Sequence, residues 1–269
     1  MATRTTVLRP VHPNRDLEAA YRRRLEAMID AMHRSIMWWL VSGYKKNEPA
    51  TTLAMDASSA VELGKIMAKL RRYWLRKFNE GSQDLAKYFA DENKDHTDTM
   101  LERILKESGM AIKFKTSAAV NDVLQASIKE NVSLIKSIAQ QHLNEVEGLV
   151  MRSVQAGRDV GGLAKELERR YEITKKRAKF IARDQNSKAT ASITRVRQHE
   201  AGITEAKWLH SHGGKEPRPN HVAMSGHVYK IAEGMWDPDA DGKGKGRYIF
   251  PGELINCRCV SRAIIPALT

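Results

Sequence analysis

The chain has 269 residues, 42% hydrophobic and 29% charged, with 45 Lys and Arg against 32 Asp and Glu for a formal net charge of +13. Those values exclude wholesale disorder and a fibrous fold, and the length suits one large domain or two ordinary ones. No apolar run approaches the roughly 18 residues of a membrane span, the N-terminus lacks the apolar core of a secretory signal, and two cysteines are too few for a disulfide scaffold. Neither a membrane nor an oxidising compartment is expected.

In chain order, Asn14 is placed to cap a first helix, because Leu17, Tyr21, Leu25, Met28, Met32 and Ile36 follow at helical spacing. That helix should run to about residue 42, with Gly43 and a polar loop at 45–49 after it. Ser59 followed by Glu62 resembles a capping box for a helix over 61–79. Gly81 interrupts, and shorter helices at 86–90 and 100–106 are expected around the polar stretch 91–96. Residues 112–115 alternate like a short extended piece. Ser117 should cap a long helix that runs through about 155 and ends at Gly157. Two more helices are predicted over 160–171 and 174–200, the second capped by Thr174 and closed by Gly202. Beyond Gly202 the pattern turns to short apolar pieces among glycine, proline and histidine, with strands expected at 206–210, 228–231, 248–250 and 259–265. The fold class is therefore α+β: a mainly helical body with a small, irregular, β-containing C-terminal module.

The positive charge is concentrated. Residues 1–150 carry 23 basic and 19 acidic side chains, and residues 151–269 carry 22 and 13. Residues 175–197 alone hold eight cations against the single acid Asp184. Such a window suits a polyanion, and Lys175, Lys176, Lys179, Arg183, Lys188, Arg195 and Arg197 are the candidate contacts to double-stranded DNA. The competing reading is a solvated helix face. Ala178, Ile181, Ala182, Ala189, Ile193 and Val196 form one apolar arc, and the cations fall on both of its flanks. Any binding should be non-specific, since no recognition helix or zinc-finger pattern accompanies the charge.

The C-terminal module has its own motif order. Residues 181–185 (Ile-Ala-Arg-Asp-Gln) are followed by Trp208, then Glu216-Pro-Arg218-Pro-Asn-His221, Gly226-His227, and finally Asn256-Cys257-Arg258-Cys259. Together these resemble the Mu protein F-like family of phage minor head, or head-morphogenesis, proteins, over about residues 145–265. Two departures stand out: Glu216 replaces the usual aspartate, and Ile255 precedes Asn256 where the family often has His-Pro, which removes one potential metal ligand. The resemblance divides the chain into a helical region, 1–144, for docking to portal or capsid, and a head-morphogenesis domain, 145–269. It implies a non-enzymatic virion protein inside the head near the portal, assembled in the host cytoplasm. Its partners would be portal or major capsid protein, with a role in DNA packaging or delivery. Trp38, Trp39, Tyr73, Trp74 and Phe78 read either as interface anchors or as core aromatics.

Three constellations bear on chemistry. Cys257 and Cys259 with His221 or His227 offer the soft ligand set that zinc prefers, with His210 and His212 as further donors. A C-x-C pair in a strand points its side chains to opposite faces, so one metal would require a bent backbone, and buried structural thiols are the simpler reading. Asp237, Asp239 and Asp241 with Gly242 match half of a calcium loop, but Tyr248 stands where its final glutamate belongs, so a surface turn is expected. A metal-dependent nuclease is the alternative function. It requires a carboxylate set that spacing does not assemble, and Glu216, Arg218 and His221 are expected instead to form a buried polar network.

Overall fold

The computed structural model describes residues 5–46, 57–156, 160–213 and 216–267. In chain order the elements are β1 (Thr5–Val7), α1 (Arg15–Lys46), α2 (Ala57–Glu107), α3 (Ala118–Gln155), α4 (Val160–Glu200) and β2 (Glu205–Leu209). They continue with α5 (Pro219–Ala223), β3 (Val228–Lys230), β4 (Met235–Asp237), β5 (Arg247–Ile249) and β6 (Val260–Pro266). The class is α+β, with the helices long and the strands short. None of the described helices is long and apolar enough to cross a membrane.

Local chemistry starts and stops these helices. Asn14 Oδ1 accepts the amides of Asp16 at 2.9 Å and Leu17 at 3.2 Å, and Asp16 and Glu18 add acidic charge to the first turn of α1. Ser117 Oγ accepts the Val120 amide at 3.2 Å and caps α3. At the end of α4, Gly202 takes φ +74° and the Ile203 amide reaches back to the Gln198 carbonyl at 3.0 Å, a glycine C-cap.

Helix count is where the structure departs from the expectation. The pieces expected at 61–79, 86–90 and 100–106 are one helix, α2, because an interior glycine such as Gly81 costs only about 1 kcal/mol and tertiary packing overrides it. The polar stretch continues α2 as a buried face: Asn93, Thr97 and Asp98 are all buried. Likewise Thr174 is no cap but lies inside α4, donating to the Arg170 carbonyl. Residues 112–115 are not a strand; the Phe114 amide is held by Glu102 instead. The expected loop at 45–49 and the Gly157 stop lie largely outside the described residues, as does the Ser59 side chain.

The described residues fall into two compact units, each assembled from separate stretches of chain: 1–19, 87–128 and 182–269 in one, 20–86 and 129–181 in the other. A cut at 144/145 would fall within α3.

The second unit is helical. Its apolar stripes (Leu25, Ile29, Met32, Ile36 and Leu40; Leu63, Met67, Leu70, Trp74 and Phe78; Ile135, Ala139, Leu143, Val146 and Val150) follow the three- and four-residue steps of a helix face. Polar pairs join them: Tyr21 donates to Asn131, Tyr171 to Asp30, and Arg177 to Ser137. Of the five aromatics with two readings, Trp74 and Phe78 are core. Trp38, Trp39 and Tyr73 are exposed, and Trp39, Tyr73 and Trp74 line a groove of about 470 Å³.

The first unit holds the sheets. β1, β6, β2 and β3 form a four-stranded antiparallel sheet in that order, with Trp208 opposite Ser261 and Ala206 opposite Ala263; β4 and β5 form a separate hairpin. The N-terminal strand β1 therefore completes a sheet otherwise made after residue 204. Its core gathers Trp208, Tyr229, Ile231, Ile249, Ala263 and Ile265 with Leu101, Ile104 and Leu105 of α2.

Candidate functional site

The motif residues of the C-terminal module meet at one place in the first unit. The segment 255–259 lies before β6 and is not extended: Asn256 adopts φ +59°, which asparagine tolerates better than most residues. Two residues of α4 hold this bend. Arg183 donates to Asn256 Oδ1 at 2.8 Å, and the Asn256 amide donates to Asp184. Lys188 pairs with the same Asp184 at 3.1 Å. Gly252 takes φ +84°, and a side chain there would place its Cβ 2.6 Å from that of Ala191, so the loop lies directly on α4.

The bend resolves the difficulty of the C-x-C pair. Both thiols turn to the same imidazole: Cys257 Sγ lies 3.4 Å and Cys259 Sγ 3.6 Å from His221 Nδ1. All three side chains are buried, and neither cysteine is in a disulfide. His221 comes from the short helix α5. Its other nitrogen, Nε2, faces Asp237 Oδ2 at 3.3 Å, within ion-pair range though not aligned as a hydrogen bond. Asp237 is itself buried, and its Oδ1 accepts from Asn220 Nδ2 at 2.8 Å and the Asp239 amide at 3.0 Å. Trp208 packs edge-on against the His221 ring, centroids 5.2 Å apart.

Electrostatics separate the two thiols. The Cys259 thiol hydrogen-bonds to Cys257 and, with His221, holds it well below the usual thiol range against the opposing effect of burial; the same bond pushes Cys259 up. Burial also lowers His210, whose Nδ1 accepts the His212 amide at 3.2 Å. The cluster opens on a polar cavity of about 220 Å³ whose lining includes His210, Glu216, Arg218 and Arg258.

Several expectations change. Glu216, Arg218 and His221 do not form a buried network: Glu216 and Arg218 are exposed, Arg218 donates to the Ile255 carbonyl at 2.9 Å, and Asp237 is the partner of His221. Arg258 likewise serves the backbone, donating to the Gly213 carbonyl. His227 is exposed and stands outside the cluster that His221, Cys257 and Cys259 form. In the half calcium loop, Asp239 and Asp241 accept the amides of Gly244, Lys243 and Lys245, so the turn satisfies its own acids, while Asp237 is drawn inward. Among the seven candidate DNA contacts, Lys176 and Lys179 are exposed, whereas Lys175, Arg183, Lys188 and Arg195 are half-buried. Arg197 belongs to the core: it is fully buried, holds Asp98 with two 2.7 Å bonds, and also reaches Glu200 and the Lys115 carbonyl. A charge count could not reveal this, because helical phase placed the cations on flanks while the neighbours of those flanks came from distant sequence.

Residues 144–262 match the family model described as phage Mu protein F like protein. That match supports a phage Mu protein F-like assignment for this segment. A Haemophilus influenzae protein, itself uncharacterized, is 27% identical over 271 residues covering 98% of this chain and 56% of that protein. The chain thus spans a little over half the length of that relative. No solved structure matches it. Within the Mu F-like segment, the separated motifs are parts of one site: Arg183 and Asp184 clamp Asn256, which turns Cys257 and Cys259 onto His221, and Trp208 backs the ring.

Proposed function

We propose that this protein is a minor head component that acts in phage head morphogenesis at the portal, inside the head, with non-specific affinity for packaged DNA. The observation that carries this reading is the family match over 144–262, whose motif residues form a single connected site. Two further features support it. The net charge of +13 favours association with polyanions through counterion release, and the exposed Trp39 and Tyr73 at the groove of the helical unit are suited to anchoring against a portal or major capsid protein. The non-enzymatic reading is favoured over a nuclease by the engagement of His221, whose two nitrogens are turned to the thiols and to Asp237.

The test is co-expression of the protein with portal, scaffold and major capsid proteins, followed by purification of the assembled heads. The protein is expected in the heads at low copy and in complex with portal protein from cells lacking capsid protein. Heads that form normally and contain none of it would overturn the reading.

A further inference from the structure

The ligand atoms of His221, Cys257 and Cys259 all lie within 4.8 Å of one another, and all three residues are buried. The separations are informative. Zinc bonds sulfur at about 2.3 Å and imidazole nitrogen at about 2.0–2.1 Å, so tetrahedral coordination sets sulfur and nitrogen about 3.5 Å apart. The two distances here are 3.4 and 3.6 Å. A hydrogen bond at Nδ1 is directed at one partner, whereas two sulfurs converge on it here. A cation about 2.3 Å from each sulfur and about 2.0–2.1 Å from the nitrogen would serve both.

The surroundings agree. At zinc-binding histidines the nitrogen that does not bind metal typically faces a carboxylate that fixes tautomer and ring orientation. His221 turns Nε2 to Asp237, which is buried and anchored by Asn220 and the Asp239 amide. The bend that brings the thiols together is itself pinned from α4 through Asn256, so the ligands are held by packing that does not depend on a metal.

We propose that His221 Nδ1, Cys257 Sγ and Cys259 Sγ bind one zinc-class divalent cation, with Asp237 as the orienting carboxylate and the fourth position open to the polar cavity beside Arg218 and Arg258. The ion ties α5 to the 255–259 bend and so joins the Trp208 side of the sheet to α4. This goes beyond the proposed head function, and its failure would leave that reading intact.

The test is metal analysis of the full chain purified in a phosphine reductant, together with cobalt(II) replacement. About one zinc per chain is expected. The cobalt form should show a thiolate-to-metal charge-transfer band in the near ultraviolet and intense visible bands of tetrahedral geometry. Cys257→Ser and Cys259→Ser should each lose the charge-transfer intensity, and Asp237→Asn should weaken binding by about 10–100-fold with the bands retained. Should the serine variants fail to fold, the wild-type cobalt spectrum alone decides. A folded, reduced chain that takes up no cobalt, or takes it up with only weak octahedral bands, overturns the proposal.

Discussion

Asn256 shows how much one residue carries. Its left-handed φ turns the chain into the Cys257–Cys259 segment, and its side chain accepts from Arg183. Asn256→Ala should lose about 2 kcal/mol, combining the strain of φ +59° with the missing hydrogen bond. Asn256→Gly should lose only about half of that, since glycine accepts this backbone conformation. Chemical denaturation of both variants separates the terms, and equal losses would show that the backbone conformation is not what holds the bend. Arg197 makes the opposite point about reading charge. It is a cation in a basic window, yet it is sealed between Asp98, Glu200 and the ring of Phe114, 4.8 Å away. Arg197→Ala leaves Asp98 buried without its two strongest bonds, and should cost about 3–5 kcal/mol in urea unfolding with little change in DNA affinity.

At the scale of elements, the long helices exist because distant segments supply what local sequence lacks. The polar stretch 91–96 of α2 separates two short helices in a reading of the sequence, but Thr190 of α4 donates to Asn93 and Arg197 binds Asp98 just beyond it, so the polar side chains are satisfied inside the fold. The α3–α4 contact contains a pH-sensitive pair. His142 donates from Nδ1 to Thr174 Oγ1 at 2.8 Å, while its Nε2 is buried without a hydrogen-bond partner among the described residues. Burial first, then the nearby His33 and Arg170 charges, lowers its pKa from 6.5 to about 4. The folded state therefore binds fewer protons than the unfolded one, and stability contributed above pH 6.5 is lost as pH falls through about 4, on the order of 3 kcal/mol. Replacing the residue, as His142→Gln, should flatten this part of the curve. Thermal melts of both proteins between pH 7 and pH 4 check it, and parallel curves would refute it.

At the scale of the whole molecule, the excess of cations matters for partners more than for fold. The proposed DNA affinity should fall linearly in log–log form as salt rises, without dependence on base sequence. Lys176 and Lys179 are the exposed cations of the basic window. Removing both, as Lys176→Ala with Lys179→Ala, should reduce the salt slope by about 2, read by fluorescence anisotropy on duplexes of different sequence. An unchanged slope would place the contact elsewhere on the surface.

Some of this was legible in the residues alone. The caps at Asn14 and Ser117, the glycine stop at Gly202, the approximate places of β2, β3, β5 and β6, and the family motifs all rest on interactions within a few positions, or on an order of residue types that needs no coordinates. What only the tertiary structure decided depends on partners far apart in sequence. The fusion of the helix pieces, the recruitment of β1 to pair with β6, the burial of Arg197 and the pairing of Asp237 with His221 are of this kind. Hydrophobic period and capping chemistry report what a segment prefers in isolation. Whether a polar side chain is buried with a partner, or two alternating thiols face one imidazole, is set by the long-range contacts that offset its desolvation.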